Sequence, residues 1–262
     1  MLRNRQRKCG YLAGVVALLC AVLLGLCLWV FSMNGAFDAL QPDARQQLER
    51  FAREHNIPLA AYPASVLELY EKNPETKDFV LNYPILYGKE AAVDMSEYED
   101  CPQVPLFMQW DKRWGYLDYG SDVVGITGCG PVCLSMAAWY VTGDTAMSPD
   151  RIITFALDGG YCVPGSGSAW SLISQGGREL GLDVTEIPLD KERILSNLEV
   201  DNPIICVMGP GDFTATGHFI VLTGTQDGKL RINDPNSIAN SQKLWNYEDI
   251  CHQILNLWVI RA

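Results

Sequence analysis

Histidine is scarce in this chain of 262 residues, which holds only His55, His218 and His252. The sequence contains neither an H-E-x-x-H nor a C-x-x-C motif, so it offers no recognisable zinc site, and no metal ion or organic cofactor is expected. Basic residues are also few, 20 against 31 acidic residues, which argues against nucleic acid or anionic lipid as a partner. Internal repeats and low-complexity runs are lacking too. The composition, 48% hydrophobic and 19% charged, is that of a globular protein.

The N-terminus departs from this composition. Four basic residues precede an uncharged, apolar stretch from Gly10 to Phe31, which is long enough as a helix to cross a bilayer. The stretch does not end in an A-x-A-like cleavage site, so a retained anchor is a better interpretation than a signal peptide. Positive charge before the stretch predicts a single-pass protein of the cell membrane, with a cytoplasmic N-terminus and the remaining chain outside.

The sequence predicts three parts: a basic leader and membrane anchor over residues 1–37, a helical N-terminal region over 38–100, and a main domain over 101–262. The helical region alternates helix-like patches with prolines, which predicts two helices and a connecting strap. Its apolar residues favour packing against the main domain, and a bare stalk is the alternative.

In the main domain, helical patterns come first and strand patterns follow. One helix is predicted from Cys129 to Val141, ended by Gly143, and another from Ser168 to Leu180. Five strands are predicted in LDVTEIPL, PIICVMG, GHFIVLTGT, GKLRINDPN and ILNLWVIRA, with a short helix before the second and before the last. Helices followed by an antiparallel sheet indicate an α+β fold.

Two cysteines flank a Gly-Pro pair in GITGCGPVCLSM, residues 125–136. If Cys129 begins a helix, Cys133 lies on the same face with the Cβ atoms about 5 to 6 Å apart, whereas a disulfide needs about 3.5 to 4.5 Å. This spacing argues against a redox dithiol. The glycines and the proline instead predict a tight entry into the helix, which places Cys129 at the positive end of the helix dipole, where a thiolate is stabilised. Cys133 fits better as a packed core residue, and Cys129 taken alone could be one as well.

A thiolate nucleophile needs a general base, and His218 is the best placed of the three histidines. It begins the strand pattern GHFIVLTGT, which would hold the imidazole rigidly. His55 lies in the N-terminal helical region and His252 in a short helix, so both are expected to be solvated or structural.

The base also needs a group that orients its imidazole ring. The strand after that of His218, in GKLRINDPN, ends in Asn233 and Asp234, and either side chain could fix the tautomer of the base. Asp234 is preferred because a carboxylate also stabilises the imidazolium, although an Asn-Asp-Pro sequence would form a turn in any case. Gln109 in FMQWDKRWG is the candidate side-chain donor to an oxyanion, together with the backbone N–H of Cys129.

Five short motifs follow one another along the main domain. They are Q-W-D-x-x-W-G (109–115), G-C-G-P-x-x-L-S-M (128–136), P-G-x-G-x-x-W (164–170), G-H-F-I-V-L-T-G (217–224) and N-D-P-N (233–236). In this order they resemble the papain-like cysteine peptidases of the C39-like type, over most of residues 104–262. The resemblance implies a papain-like fold, a helical part packed on an antiparallel sheet. It also implies a Cys-His-Asp triad with a glutamine oxyanion donor: Cys129, His218, Asp234 and Gln109.

The sequence departs from the members of the wider family that process bacteriocins. Those members are cytoplasmic domains of ABC transporters and cut after a double glycine, whereas this chain has no ATPase motif and is expected to face outward. We therefore expect a membrane-anchored, extracytoplasmic cysteine peptidase that acts on a peptide or protein without double-glycine specificity. A non-catalytic peptide-binding module and an acyl transferase are the alternatives, and the oligomeric state is open.

The glycine-rich loop YCVPGSGSAW is expected to line the substrate cleft through Gly165, Ser166, Gly167 and Trp170. The alternative is a plain turn, with Ser168 as the N-cap of the following helix.

Disulfide pairing cannot be read from the sequence, and one catalytic thiol among the six cysteines after the membrane segment would leave an odd number to pair. The five whose state is open are Cys101, Cys133, Cys162, Cys206 and Cys251.

Overall fold

The computed structural model describes residues 35–37 and 39–262. The predicted membrane segment from Gly10 to Phe31 lies outside these residues, and no helix within them is long and apolar enough to cross a membrane. Contacts divide the chain into two compact units, Met1–Pro74 and Glu75–Ala262. The predicted start of the main domain at residue 101 stays a prediction, and the compact unit that contains this domain starts at Glu75.

Over residues 39–74, the first unit contains two helices, α1 (Pro42–Glu54) and α2 (Ala64–Lys72), with a 3₁₀ turn between them at Leu59–Ala61. Proline occupies the start of α1, where its missing N–H costs no helical hydrogen bond. Each helix buries one apolar stripe, as amphipathic helices do. The buried residues are Leu48 and Ala52 in α1, and Val66, Leu67 and Tyr70 in α2.

The prediction of two helices in the N-terminal region is wrong, because the structure has three α-helices over residues 39–100, two of them in the segment SVLELYEKNPETKDFVLNY. The first of these two is α2, and α3 (Lys77–Leu86) begins after Pro74 and belongs to the second unit. Pro74 explains the break, since it lacks an N–H and disfavours helical geometry at the preceding residue. Pro84 does not end α3, which buries Phe79, Val80, Leu81 and Tyr83.

The second unit holds two short hairpins and one main sheet. The hairpins pair β1 (Asp118–Tyr119) with β2 (Asp122–Val123), and β3 (Cys162–Val163) with β4 (Gly167–Ser168). The main sheet is antiparallel, in the order β5-β9-β6-β7-β8. Its strands are β5 (Asp183–Glu186), β6 (Ile204–Met208), β7 (His218–Gln226), β8 (Lys229–Asn233) and β9 (Ile254–Arg261). All five predicted strands are confirmed.

The helices of this unit include the predicted one at Cys129. They are α4 (Val124–Thr127), α5 (Cys129–Thr142), α6 (Pro149–Asp158), a π-helical turn (Leu172–Gly176) that runs into α7 (Gly177–Glu179), α8 (Lys191–Leu198), α9 (Ile238–Gln242) and α10 (Tyr247–Ile250). Gly143 ends α5 with a positive φ of 64°, as predicted for a glycine C-cap. The predicted helix start at Ser168 is wrong: Ser168 lies in β4, and its hydroxyl is 2.7 Å from the hydroxyl of Tyr119, so it caps no helix.

The main sheet separates two hydrophobic cores. Along β6, Ile205 and Val207 face the core that contains α5, while Ile204, Cys206 and Met208 face the core that contains Ile194 and Leu198 of α8. This alternation follows from the two-residue period of a strand, and burial on both faces explains why all five residues of β6 are apolar. The α+β architecture predicted from the sequence is confirmed, with α5 packed on one face of the sheet.

Candidate active site

Cys129 is the first residue of α5 and is partly exposed to solvent. The preceding Gly128 is the N-cap, and no side chain caps this helix end. Gly130 lets β4 approach the first turn, because a Cβ atom there would lie only 2.5 Å from Ser168 Oγ. The predicted tight entry into the helix is confirmed, and it places the Cys129 sulfur at the positive end of the helix dipole.

His218 is the first residue of β7 and is 8% exposed. Its Nε2 atom lies 2.7 Å from Asp234 Oδ1. Because Asp234 occupies this nitrogen, Nδ1 is left for the thiol of Cys129, with which His218 shares a side-chain hydrogen bond. The structure therefore brings together the three residues predicted as nucleophile, base and orienting acid.

Burial opposes charge on both Cys129 and His218, but their partners outweigh it. The hydrogen bond and charge of His218, with the backbone N–H groups of Phe219 and Gly130, lower the pKa of Cys129. Hydrogen bonds to Asp234 and Cys129 raise the pKa of His218 to about 10. The two shifts together favour a thiolate–imidazolium pair, which is the nucleophilic form of the thiol.

Asp234 follows β8 and is 1% exposed. Oδ1 accepts hydrogen bonds from His218 and from the backbone N–H of Asn236 at 2.9 Å, and Oδ2 accepts one from Asn240 Nδ2 at 2.8 Å. These donors outweigh the effect of burial and lower the pKa of Asp234, which keeps the side chain ionised. The second candidate for this role, Asn233, donates to backbone carbonyl groups of Val104 and Pro105 instead.

Gln109 is 3% exposed and forms hydrogen bonds to two parts of the site. Its Nε2 atom donates to the carbonyl oxygens of Gly125 and Ile126 at 3.0 and 3.3 Å, just before the nucleophile helix. Its backbone N–H donates to the carbonyl oxygen of Pro235, beside the acid, at 2.8 Å. The side-chain Oε1 atom has no hydrogen-bond partner among the described residues. The oxyanion role predicted for Gln109 stays a prediction, because its amide N–H groups are directed at backbone carbonyls here.

A cleft of about 520 Å³ opens beside Cys129 and His218. All four predicted loop residues line it, namely Gly165, Ser166, Gly167 and Trp170. Val207, Thr216 and Leu255 are also among its walls. Apart from the candidate catalytic pair, none of the described residues that line the cleft carries an ionisable side chain. Trp170 and Leu255 are 45% and 57% exposed, so they present apolar surface to a ligand.

The family model described as the Peptidase_C39 like family matches residues 102–261. The chain belongs to this family. Solved structures that align with more than half of the chain include the peptidase domain of Streptococcus ComA, described as a bifunctional ABC transporter in a quorum-sensing pathway, and a C39-like peptidase from Bacillus anthracis. The ComA domain is 18% identical, with 61% of this chain and 98% of that chain covered and a TM-score of 0.43. The Bacillus anthracis protein is 14% identical, with 62% and 96% covered and a TM-score of 0.43. None of the curated proteins matches the chain.

Two histidines and five of the described cysteines of this C39-like protein are not members of the candidate triad. His55 and His252 are exposed, as expected. All six cysteines that the structure describes are free thiols. Cys133 is fully buried in the core around α5, and burial raises its pKa well above the ordinary value. The prediction that Cys133 is a core residue is confirmed by its burial, while the role of Cys129 as the reactive thiol stays a prediction.

Sequence reasoning missed one side chain of the site, Asn240 on α9. It lies six residues after Asp234, in the segment SIANS (237–241), and donates to the carboxylate. An asparagine shortly after a candidate acid is a weak indication of such a role, because asparagine is common in turns and loops for other reasons.

Proposed function

We propose that this C39-like protein is a cysteine peptidase that hydrolyses peptide bonds through Cys129, His218 and Asp234. The observation that carries the proposal is the buried series of contacts from Asp234 through His218 to the thiol at the start of α5. A non-catalytic binding module would have no need of a lowered thiol pKa. The apolar segment from Gly10 to Phe31 supports a membrane-anchored enzyme that acts outside the cytoplasm.

The proposed reaction begins with the proton already on His218. The thiolate of Cys129 attacks the carbonyl carbon, and backbone N–H groups at the start of α5, with Gln109 as a further donor, stabilise the oxyanion. The C–N bond breaks as His218 gives its proton to the leaving amine, and a thioester forms. A water molecule then loses a proton to His218 and attacks the thioester. The C–S bond breaks, a carboxylic acid leaves, and the thiolate–imidazolium pair is restored.

The cleft indicates the kind of peptide that such an enzyme would accept. Its walls are uncharged apart from the catalytic pair, and Trp170 and Leu255 offer exposed apolar surface. A charged side chain would lose hydration there without gaining a partner. We therefore expect apolar or small residues next to the bond that is cut.

The proposal is tested by the pH dependence of iodoacetamide alkylation at Cys129, measured by mass spectrometry on the full chain in detergent. We expect a thiolate that forms well below the free cysteine pKa of about 8.5 and a strong dependence on His218, shown by His218→Ala. His252→Ala, which changes an exposed histidine, is the matched control. A slow thiol that titrates ordinarily and is indifferent to His218 would refute the proposal.

A further inference from the structure

The short helix α9 holds the carboxylate of Asp234 from the side opposite His218. Asn240 Nδ2 donates to Oδ2 at 2.8 Å, while His218 and the Asn236 N–H use Oδ1. Ser241 Oγ accepts the backbone N–H of Asp234 at 2.9 Å. Both oxygens of the acid are therefore fixed, and with them the carboxylate plane that His218 meets.

Asn240 supplies the only hydrogen bond to Asp234 Oδ2 found among the described residues. A carboxylate that is 1% exposed cannot replace a lost donor with bulk water. The titratable group that acts on Asp234 is His218 on β7. Burial, with a smaller contribution from the charge of Asp234, raises the pKa of Cys133 on α5 well above the ordinary value and keeps that thiol neutral. Without Asn240, the orientation of the carboxylate would rest on the Oδ1 contacts alone.

Glu75, far away in the chain, holds α9 in place. Its Oε2 accepts the backbone N–H of Ile238 at 2.8 Å and its Oε1 that of Ala239 at 2.9 Å. These are the first two N–H groups of the helix, which have no partner within it. A helix of five residues does not form by itself, so its position depends on such contacts.

We propose that Asn240 is a positioning residue of the triad and that Glu75 sets its position through α9. The inference rests on the proposed function, because it concerns the same thiol and imidazole. Asn240 acts on Cys129 through Asp234 and His218 and touches no reacting atom. A hydrogen bond that favours the Asp234 carboxylate also favours the imidazolium and hence the thiolate.

Two substitutions at residue 240 separate positioning from simple packing. Asn240→Ala removes the donor to Asp234 and is expected to lower the rate of Cys129 alkylation at pH 6 about tenfold, the order of one hydrogen bond to a charged group. Asn240→Leu keeps the approximate size of the side chain but has no hydrogen-bond donor, so we expect a similar loss. Gln242→Ala, an exposed position on the same helix, is the matched control and should stay within about twofold of the wild type.

Glu75 is tested in the same assay by Glu75→Ala, with Glu90→Ala as a control that makes the same charge change at an exposed position. Loss of both contacts to α9 is expected to slow alkylation of Cys129 about threefold, because α9 shifts but Asn240 remains. Alkylation is measured on the full chain in detergent, from pH 5 to 9, with the melting temperature of each variant as a check on folding.

The outcomes distinguish this inference from the proposed function. A folded Asn240→Leu variant whose Cys129 alkylates like the wild type would overturn the positioning role, while the effect of His218→Ala would leave the peptidase proposal standing. A wild-type Cys129 that titrates as an ordinary thiol would overturn both. Slowed alkylation in Asn240→Ala and Asn240→Leu, with Gln242→Ala unchanged, would support the inference.

Discussion

Replacing Asp234 by asparagine tests the electrostatic part of the triad while keeping its shape. The carboxylate lies 2.7 Å from His218 Nε2, and the two side chains are 1% and 8% exposed, so water screens the interaction poorly. A hydrogen bond to a charged group contributes about 1.5 to 3 kcal/mol, and a neutral one about 0.5 to 1.5 kcal/mol. The expected loss is therefore about 1 to 2 kcal/mol, which corresponds to roughly one pKa unit.

The substitution also creates a conflict with α9. If the side-chain oxygen of the new Asn accepts a hydrogen bond from His218, the NH₂ group of the same side chain faces the NH₂ group of Asn240. Two donors then face each other, whereas in the wild type Asn240 donates to a carboxylate oxygen. The pKa of His218, about 10 with Asp234 in place, should fall, and the thiolate of Cys129 should be less populated with it. We expect alkylation of Cys129 at pH 6 to slow at least tenfold, with a midpoint at higher pH.

The assay is again alkylation against pH on the full chain, with the melting temperature followed in parallel. Asp227→Asn is the matched control, since Asp227 is exposed and has a φ of 53°, a conformation that asparagine also adopts. If Asp234→Asn folds and its Cys129 reacts with the pH profile of the wild type, then the carboxylate charge does not support the thiolate, and the electrostatic reasoning fails.

Two further predictions concern the walls of the site. Gly130→Ala would place a Cβ atom 2.5 Å from Ser168 Oγ, so we expect urea denaturation to show a free energy of unfolding that is lower by about 1 to 3 kcal/mol. Gly217→Ala is the control, because a Cβ atom at residue 217 would have no atom within 4 Å and should change the free energy of unfolding little. Equal losses in the two variants would contradict the importance of the close approach at Gly130. Trp170→Ala should lower the rate at which a leucine chloromethyl ketone labels Cys129, relative to the rate with a glutamate chloromethyl ketone, because the variant loses apolar surface in the cleft. Leu157→Ala, at another exposed apolar residue, is the control. An unchanged ratio of the two labelling rates would show that Trp170 does not contribute to specificity.

Local patterns were sufficient for most of the fold. The strands were predicted correctly because burial on one or both faces of a sheet determines which positions along a strand are apolar. The start of α5 at Cys129 and its end at Gly143 were also predictable, since glycine at these places has a local conformational reason. The helix predicted from Ser168 failed because a long-range contact decided otherwise: the Ser168 hydroxyl pairs with Tyr119, 49 residues away, and the residue joins a hairpin.

Local sequence features were enough to predict the three residues of the candidate triad, because a cysteine at a glycine-flanked helix start, a histidine at a strand start and an acid after the next strand are each visible in a short segment. The choice between Asn233 and Asp234 as the partner of His218 required the folded structure, because the two neighbouring side chains contact different parts of the fold. The folded structure also decided that Glu75 holds a helix 163 residues further along the chain. Such contacts depend on how separate segments pack, which no local pattern of residues encodes.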